Sequence, residues 1–177
     1  GLIYMSRIKN AFDHKKAFIG FLTAGDPTLD KTEEFVMEMV DAGAGLIELG
    51  IPFTDPIADG PVIQEANIRA LEAGCTTDKI FDMVASLRKK TDVPIVFLGY
   101  LNTMFAYGYE KFCKRCQECG VDGLIVPDLP YEEKGELVPI AKAHGVDVIT
   151  MIAPTSKQRI EMLAKEATGF IYVVSSM

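Results

Sequence analysis

Short apolar runs alternate with longer stretches of helical period along this chain. The runs fall at residues 17–23, 46–49, 94–100, 123–126, 146–152 and 170–174. Most are nearly continuous in apolar residues, the pattern of parallel strands covered on both faces. The stretches between them are amphipathic. Phe35, Val36, Met39 and Val40 share a face of one helix, with Asp30 as its expected N-cap and Gly43 at its end. A second opens with Pro61 in its first turn, carries Ile63, Ala66, Ala70 and Leu71, and stops at Gly74. Further apolar stripes are Ile80, Phe81, Val84 and Leu87; Tyr109, Phe112, Cys113 and Cys116; Leu137, Ile140 and Ala141; and Ile160, Leu163 and Ala164.

The junctions repeat as well. Helices run into strands through glycines, as at Gly43-Ala44-Gly45, Gly120-Val121-Asp122-Gly123 and Gly145-Val146-Asp147. Strands end in loops with proline, which cannot continue a ladder and fixes the turn: Asp26-Pro27, Ile51-Pro52, Pro127 to Pro130, and Ala153-Pro154. The result is a βα unit repeated about six times in one domain, 1–177, with no linker inside it. An open dinucleotide-binding sheet would carry Gly-x-Gly-x-x-Gly after its first strand. The chain has Thr23-Ala24-Gly25-Asp26-Pro27 there, and no Walker-type phosphate loop, so a (β/α) barrel is favoured.

Composition narrows the function classes. The 177 residues are 49% hydrophobic and 24% charged, enough apolar material for a sizeable core. The net charge of −7 repels phosphate backbones and argues against a general nucleic-acid binder. No apolar run approaches the roughly 18 residues of a membrane span. Met5 reads as the natural initiator, with residues 1–4 as an added remnant and no secretory leader. Four cysteines without an export signal suggest free thiols in a reducing, cytoplasmic setting.

The candidate chemistry is carboxylate chemistry. Glu48 interrupts the apolar strand Gly45-Leu46-Ile47-Glu48-Leu49-Gly50 near its carboxyl end, where barrel enzymes place catalytic groups. The loop behind it adds Asp55 and Asp59, the latter just ahead of a helix. Glu48 and Asp59 fit one pocket, in environments that separate their pKa values. They also fit a structural ion pair and an ordinary helix-start acid. Cys113, Cys116 and Cys119 have part of an iron–sulfur spacing, but their period puts Cys113 and Cys116 on an apolar face, so core packing is expected. His14 and His144 lie away from strand ends, and no His/Cys/carboxylate cluster has metal-ligand spacing, so no metal is expected. Neither a nucleophile elbow around Ser175 and Ser176 nor a lysine within a strand is present.

Two blocks are specific enough to carry a resemblance: Phe21-Leu22-Thr23-Ala24-Gly25-Asp26-Pro27, and the unbroken stretch from Ile47 through Glu48, Pro52, Asp55, Pro56, Asp59 and Pro61 to Gln64. Together they closely resemble the tryptophan synthase alpha chain family. Gly123-Leu124-Ile125-Val126-Pro127-Asp128-Leu129-Pro130 and Ala153-Pro154-Thr155 match later family motifs in the same order. The resemblance runs from about Ser6 to Met177. It implies an α/β (β/α)8 TIM barrel that splits indole-3-glycerol phosphate into indole and glyceraldehyde 3-phosphate without a cofactor. It further implies that Glu48 moves the protons, that Asp59 holds the indole N–H, and that Tyr172 orients the substrate or a carboxylate. Phe21, Leu98 and Ile125 match positions against the indole ring, and each also fits ordinary barrel lining. The family pairs with a pyridoxal-phosphate-dependent beta chain in an alpha2beta2 assembly, and the segments around Asp55, Pro56, Asn102 and Pro130 match family surfaces for that contact or its signalling; they also fit ordinary exposed loops. Pyridoxal phosphate is expected only in that partner. Two rivals are a related phosphate-binding barrel enzyme and a non-catalytic module that binds the beta chain.

Strand starts recur about every 31 residues, so six units are expected here and two more, about 60–80 residues, to lie outside the chain. The domain is therefore expected to be a barrel truncated after strand 6, with apolar edges at its first and last strands.

Overall fold

The computed structural model describes residues 18–53, 61–129, 134–152 and 171–173. Six strands form one sheet: β1 Phe18–Thr23, β2 Ala44–Gly50, β3 Ile95–Leu98, β4 Gly123–Ile125, β5 Asp147–Ile152 and β6 Ile171–Val173. The six helices described are α1 Leu29–Asp41, α2 Pro61–Glu72, α3 Thr77–Leu87, α4 Leu101–Tyr107, α5 Tyr109–Cys119 and α6 Lys134–Ala143. All strand pairs are parallel, and the spatial order is β1-β2-β3-β4-β5-β6. A doubly wound sheet reverses its order at a switch point. This order never reverses, which is the barrel arrangement that the loop chemistry favours.

Strand alternation divides the apolar residues into two cores. Ile47, Leu49, Ile95, Phe97, Leu124 and Val148 pack with helix residues such as Val36, Phe81, Phe112 and Leu137. Leu46, Val96, Ile125 and Ile149 form a separate cluster, with Leu98 against it. The helices therefore cover one face of the sheet, and the second cluster lines the other. This explains why the runs read as continuously apolar rather than alternating. The helix-covered core is aromatic at its centre. Phe81 lies 5.6 Å from Phe97 and 5.2 Å from Phe112 between ring centroids, both within the favourable range for aromatic pairs.

Two local expectations change. The N-cap of α1 is Thr28, not Asp30: its backbone is extended and its hydroxyl accepts from Lys31 N, so Asp30 falls inside the first turn. There its charge still suits the positive helix end. The stretch behind β3 holds a separate two-turn helix, α4, which sequence pattern does not signal. The glycine stops behave as expected. Gly43 and Gly74 have φ of 101° and 86°, and Gly120 closes α5 in the left-handed conformation.

Candidate active site

β2 carries Glu48 on the lining face, two residues along from Leu46. It stands opposite Phe21 of β1 and Val96 of β3. Glu48 is only 5% exposed. Burial holds its pKa above the ordinary carboxylate value, because the charged form loses hydration. Among the described residues, none of the ion pairs includes Glu48. The sequence-level alternative of a structural ion pair therefore finds no partner there. A buried carboxyl group with a raised pKa keeps its proton to higher pH than an ordinary carboxyl group, which suits a general acid/base.

The apolar candidates surround it in register. Phe21 is 38% exposed, and a Cβ at Gly50 would lie 3.3 Å from its ring, so the missing side chain at Gly50 makes room for that ring. Leu98 pairs with Gly50 on one side and Ile125 on the other, and Ile125 is fully buried. These three line the same face as Glu48, and both sequence-level roles, ring contact and barrel lining, suit that position. Tyr172 lies in β6 opposite Met151, two residues beyond Ile149 of the lining cluster; its side chain is outside the described residues. Asn102 is exposed on α4. Asp55, Pro56, Asp59 and Pro130 lie outside the described residues.

One polar contact at this end of the sheet escapes sequence reasoning. Asp128, in the turn after β4, accepts a hydrogen bond from Leu101 N at 2.8 Å. Its only sequence signal is its place inside the Pro127-to-Pro130 motif.

The cysteine stripe is core. Cys113, Cys116 and Cys119 are buried free thiols. Burial pushes the Cys113 thiol up to about 11 and Cys116 upward as well, which disfavours the thiolate that metal binding needs. Among the described residues no cluster could hold a metal ion. His144 follows α6, with its ring nitrogens 2.6 Å from Glu110 Oε1 and 2.9 Å from Gln117 Oε1 of α5, a helix-end role. Among the described residues no helix is long and apolar enough to cross a membrane.

Comparison with known proteins gives one answer. A family model described as tryptophan synthase alpha chain matches residues 8–177. The tryptophan synthase alpha chain of Lacticaseibacillus casei is 54% identical over 173 residues, covering 98% of this chain and 65% of the relative. That of Alkaliphilus metalliredigens is 51% identical over 177 residues, covering 97% and 66%. The chain thus spans about two thirds of the length of these curated relatives. A tryptophan synthase alpha chain crystal structure from Legionella pneumophila superposes with a TM-score of 0.90 at 38% identity, covering 97% of this chain and 67% of that one. A tryptophan synthase complex structure from Pyrococcus furiosus gives 0.85 at 39% identity, covering 90% and 66%. The lining-face carboxylate, the sequential parallel sheet and these likenesses agree: the chain belongs to the tryptophan synthase alpha chain family.

Proposed function

We propose that this chain works as a tryptophan synthase alpha subunit, a lyase that cleaves indole-3-glycerol phosphate to indole and glyceraldehyde 3-phosphate in tryptophan biosynthesis. The observation that carries the reading is Glu48: a carboxyl group buried near the carboxyl end of a lining strand, with its pKa raised by burial.

The reaction needs a proton moved from one substrate atom to another. Protonating indole C3 turns the ring into an electron sink, an indoleninium with positive charge at nitrogen. The hydroxyl on the adjoining glycerol carbon then loses its proton, the carbon–carbon bond breaks, and its electron pair restores the aromatic ring. Glu48 in its protonated form gives the first proton and, once ionised, takes the second, so it ends as it began. Asp59 accepts a hydrogen bond from the indole N–H and stabilises the charge there. Phe21, Leu98 and Ile125 form apolar walls for a flat ring, and Tyr172 orients the substrate or a carboxylate. In this reading the partner is a beta chain in an alpha2beta2 assembly, met through Asp55, Pro56, Asn102 and Pro130. The beta chain alone carries pyridoxal phosphate, and the site of action is the cytoplasm.

The test is turnover with a tryptophan synthase beta chain present. Glu48→Gln keeps the shape and removes the proton exchange. Its indole release is expected to fall by at least the roughly 10²–10⁴-fold typical of general acid–base catalysis. Asp59→Asn is expected to lose most activity as well. Wild-type-like turnover by the first variant overturns the acid/base assignment, and by the second removes Asp59 from the mechanism.

A further inference from the structure

The helix α4 has only seven residues, and short helices are marginal without outside help. Its first backbone N–H groups have no partners within the helix. The residue at its N-cap position is Tyr100, with extended backbone at φ −85° and ψ 150°, and its side chain makes no capping bond. The missing acceptor arrives from another loop. Asp128, 27 residues further along, sets Oδ1 2.8 Å from Leu101 N, the first N–H of the helix. Negative charge is favoured there by the helix dipole as well as by the hydrogen bond. The neighbouring contacts extend the tie. Gly99 N donates to Ile125 O at 3.0 Å, and the Phe53 and Tyr100 rings lie 5.1 Å apart. The segments that follow β2, β3 and β4 are thus fastened side by side, and the acid of the third holds the helix of the second.

We propose that Asp128 is a positioning residue for this rim: by capping α4 from the neighbouring loop it fixes where Asn102 stands, and so sets the affinity for the beta chain. The partner half of this inference rests on the reading under Proposed function. The cap itself does not.

The test separates the two. Leu101→Pro removes the N–H while keeping the helix, since proline suits the first helical position and Tyr100 already has the extended backbone that proline requires of its predecessor. Amide hydrogen exchange at Leu101 is expected to quicken about fivefold in Asp128→Ala, the size of one lost cap, and to stay near wild type in Asp128→Asn, which keeps an acceptor oxygen. Calorimetric titration with a beta chain is expected to show about fivefold weaker binding for Asp128→Ala, and no further loss when that change is added to Leu101→Pro. Unchanged exchange at Leu101 in Asp128→Ala overturns the cap. An Asp128→Ala loss of equal size in both backgrounds overturns positioning, because the carboxylate would then act on the partner itself. Failure of the wild-type chain to bind any beta chain overturns the partner half together with the functional reading, and the exchange data still decide the cap.

Discussion

The two ends of the sheet treat a buried carboxylate in opposite ways. At the amino ends of β3 and β4, Asp122 is enclosed by partners. Arg88 Nη2 reaches its Oδ2 at 2.7 Å, and Ile95 N donates to the same oxygen at 2.9 Å. The guanidinium also donates to Gly120 O through two nitrogens and to Val93 O, and the side chains are 12% and 10% exposed. At the other end, Glu48 is as buried but is influenced chiefly by its own loss of hydration. One carboxylate is met by a cation and fixed dipoles, and the other has its pKa raised by burial. That division matches barrels in general, where the amino-terminal face serves stability and the carboxyl-terminal face serves chemistry.

The largest expected effect comes from breaking the locked end. Arg88→Met strands Asp122 as a charge without its cation in a nearly closed site, and removal of one member of such a pair costs about 3–5 kcal/mol. Urea unfolding measures the loss. Under the proposed function, the same variant, once folded, is expected to keep its kcat/KM, because the hydrogen bonds described for Arg88 lie at the opposite end of the sheet from Glu48. A loss below about 1 kcal/mol would reduce this node to an ordinary surface pair and erase the contrast.

A smaller change tests the same node through its backbone. Gly120 has φ 92°, and a Cβ there would stand 2.7 Å from Arg88 Nε and 2.8 Å from its Cγ. Gly120→Ala therefore combines a strained backbone with displacement of the guanidinium. A cost of about 1–3 kcal/mol is expected in thermal or urea unfolding, below that of Arg88→Met. Combining the two substitutions is expected to cost less than their sum, since the alanine then meets a shorter, more yielding side chain. Full additivity would show that the glycine serves the helix end alone.

These two regions also differ in how far the sequence reveals them. The strands were legible because each is a short apolar run closed by glycine or proline, and the observed bounds fall within a few residues of those runs. Glu48 was legible for the same reason, as an acid in the middle of such a run, whereas Asp147 stands at the start of its strand. Arg88 and Asp122 were not. They are 34 residues apart, one at a helix end and the other in what reads as a plain Gly-Val-Asp-Gly junction, and only the sheet brings them together. The helix α4 is hidden similarly, since its cap is supplied by Asp128 from the far side of another strand. The Asp30-for-Thr28 exchange is a local contest between two good capping residues, decided by which backbone is extended. Pattern reveals what neighbours in sequence determine, and both carboxylate clamps are made by neighbours in space.

The smallest expected effect sharpens the comparison most. Because burial raises the pKa of Glu48, the folded protein keeps that proton over a pH range where the unfolded chain has released it. Its contribution to stability is full below the ordinary carboxylate pKa and is lost as pH rises through the raised folded value. Glutamine at that position has no proton to lose. The stability of Glu48→Gln relative to wild type is therefore expected to change little at pH 4, to rise through the weakly acidic range, and to level off once the wild-type carboxyl group has ionised in the fold. Urea unfolding of both proteins from pH 4 to pH 8 measures the difference. A difference that moves the other way, with wild type gaining on the variant as pH rises, would mean that the folded state lowers the pKa of Glu48. It would then have a cation or donors set against it, as Asp122 has in Arg88 and Ile95 N, and the two ends of the sheet would obey one rule.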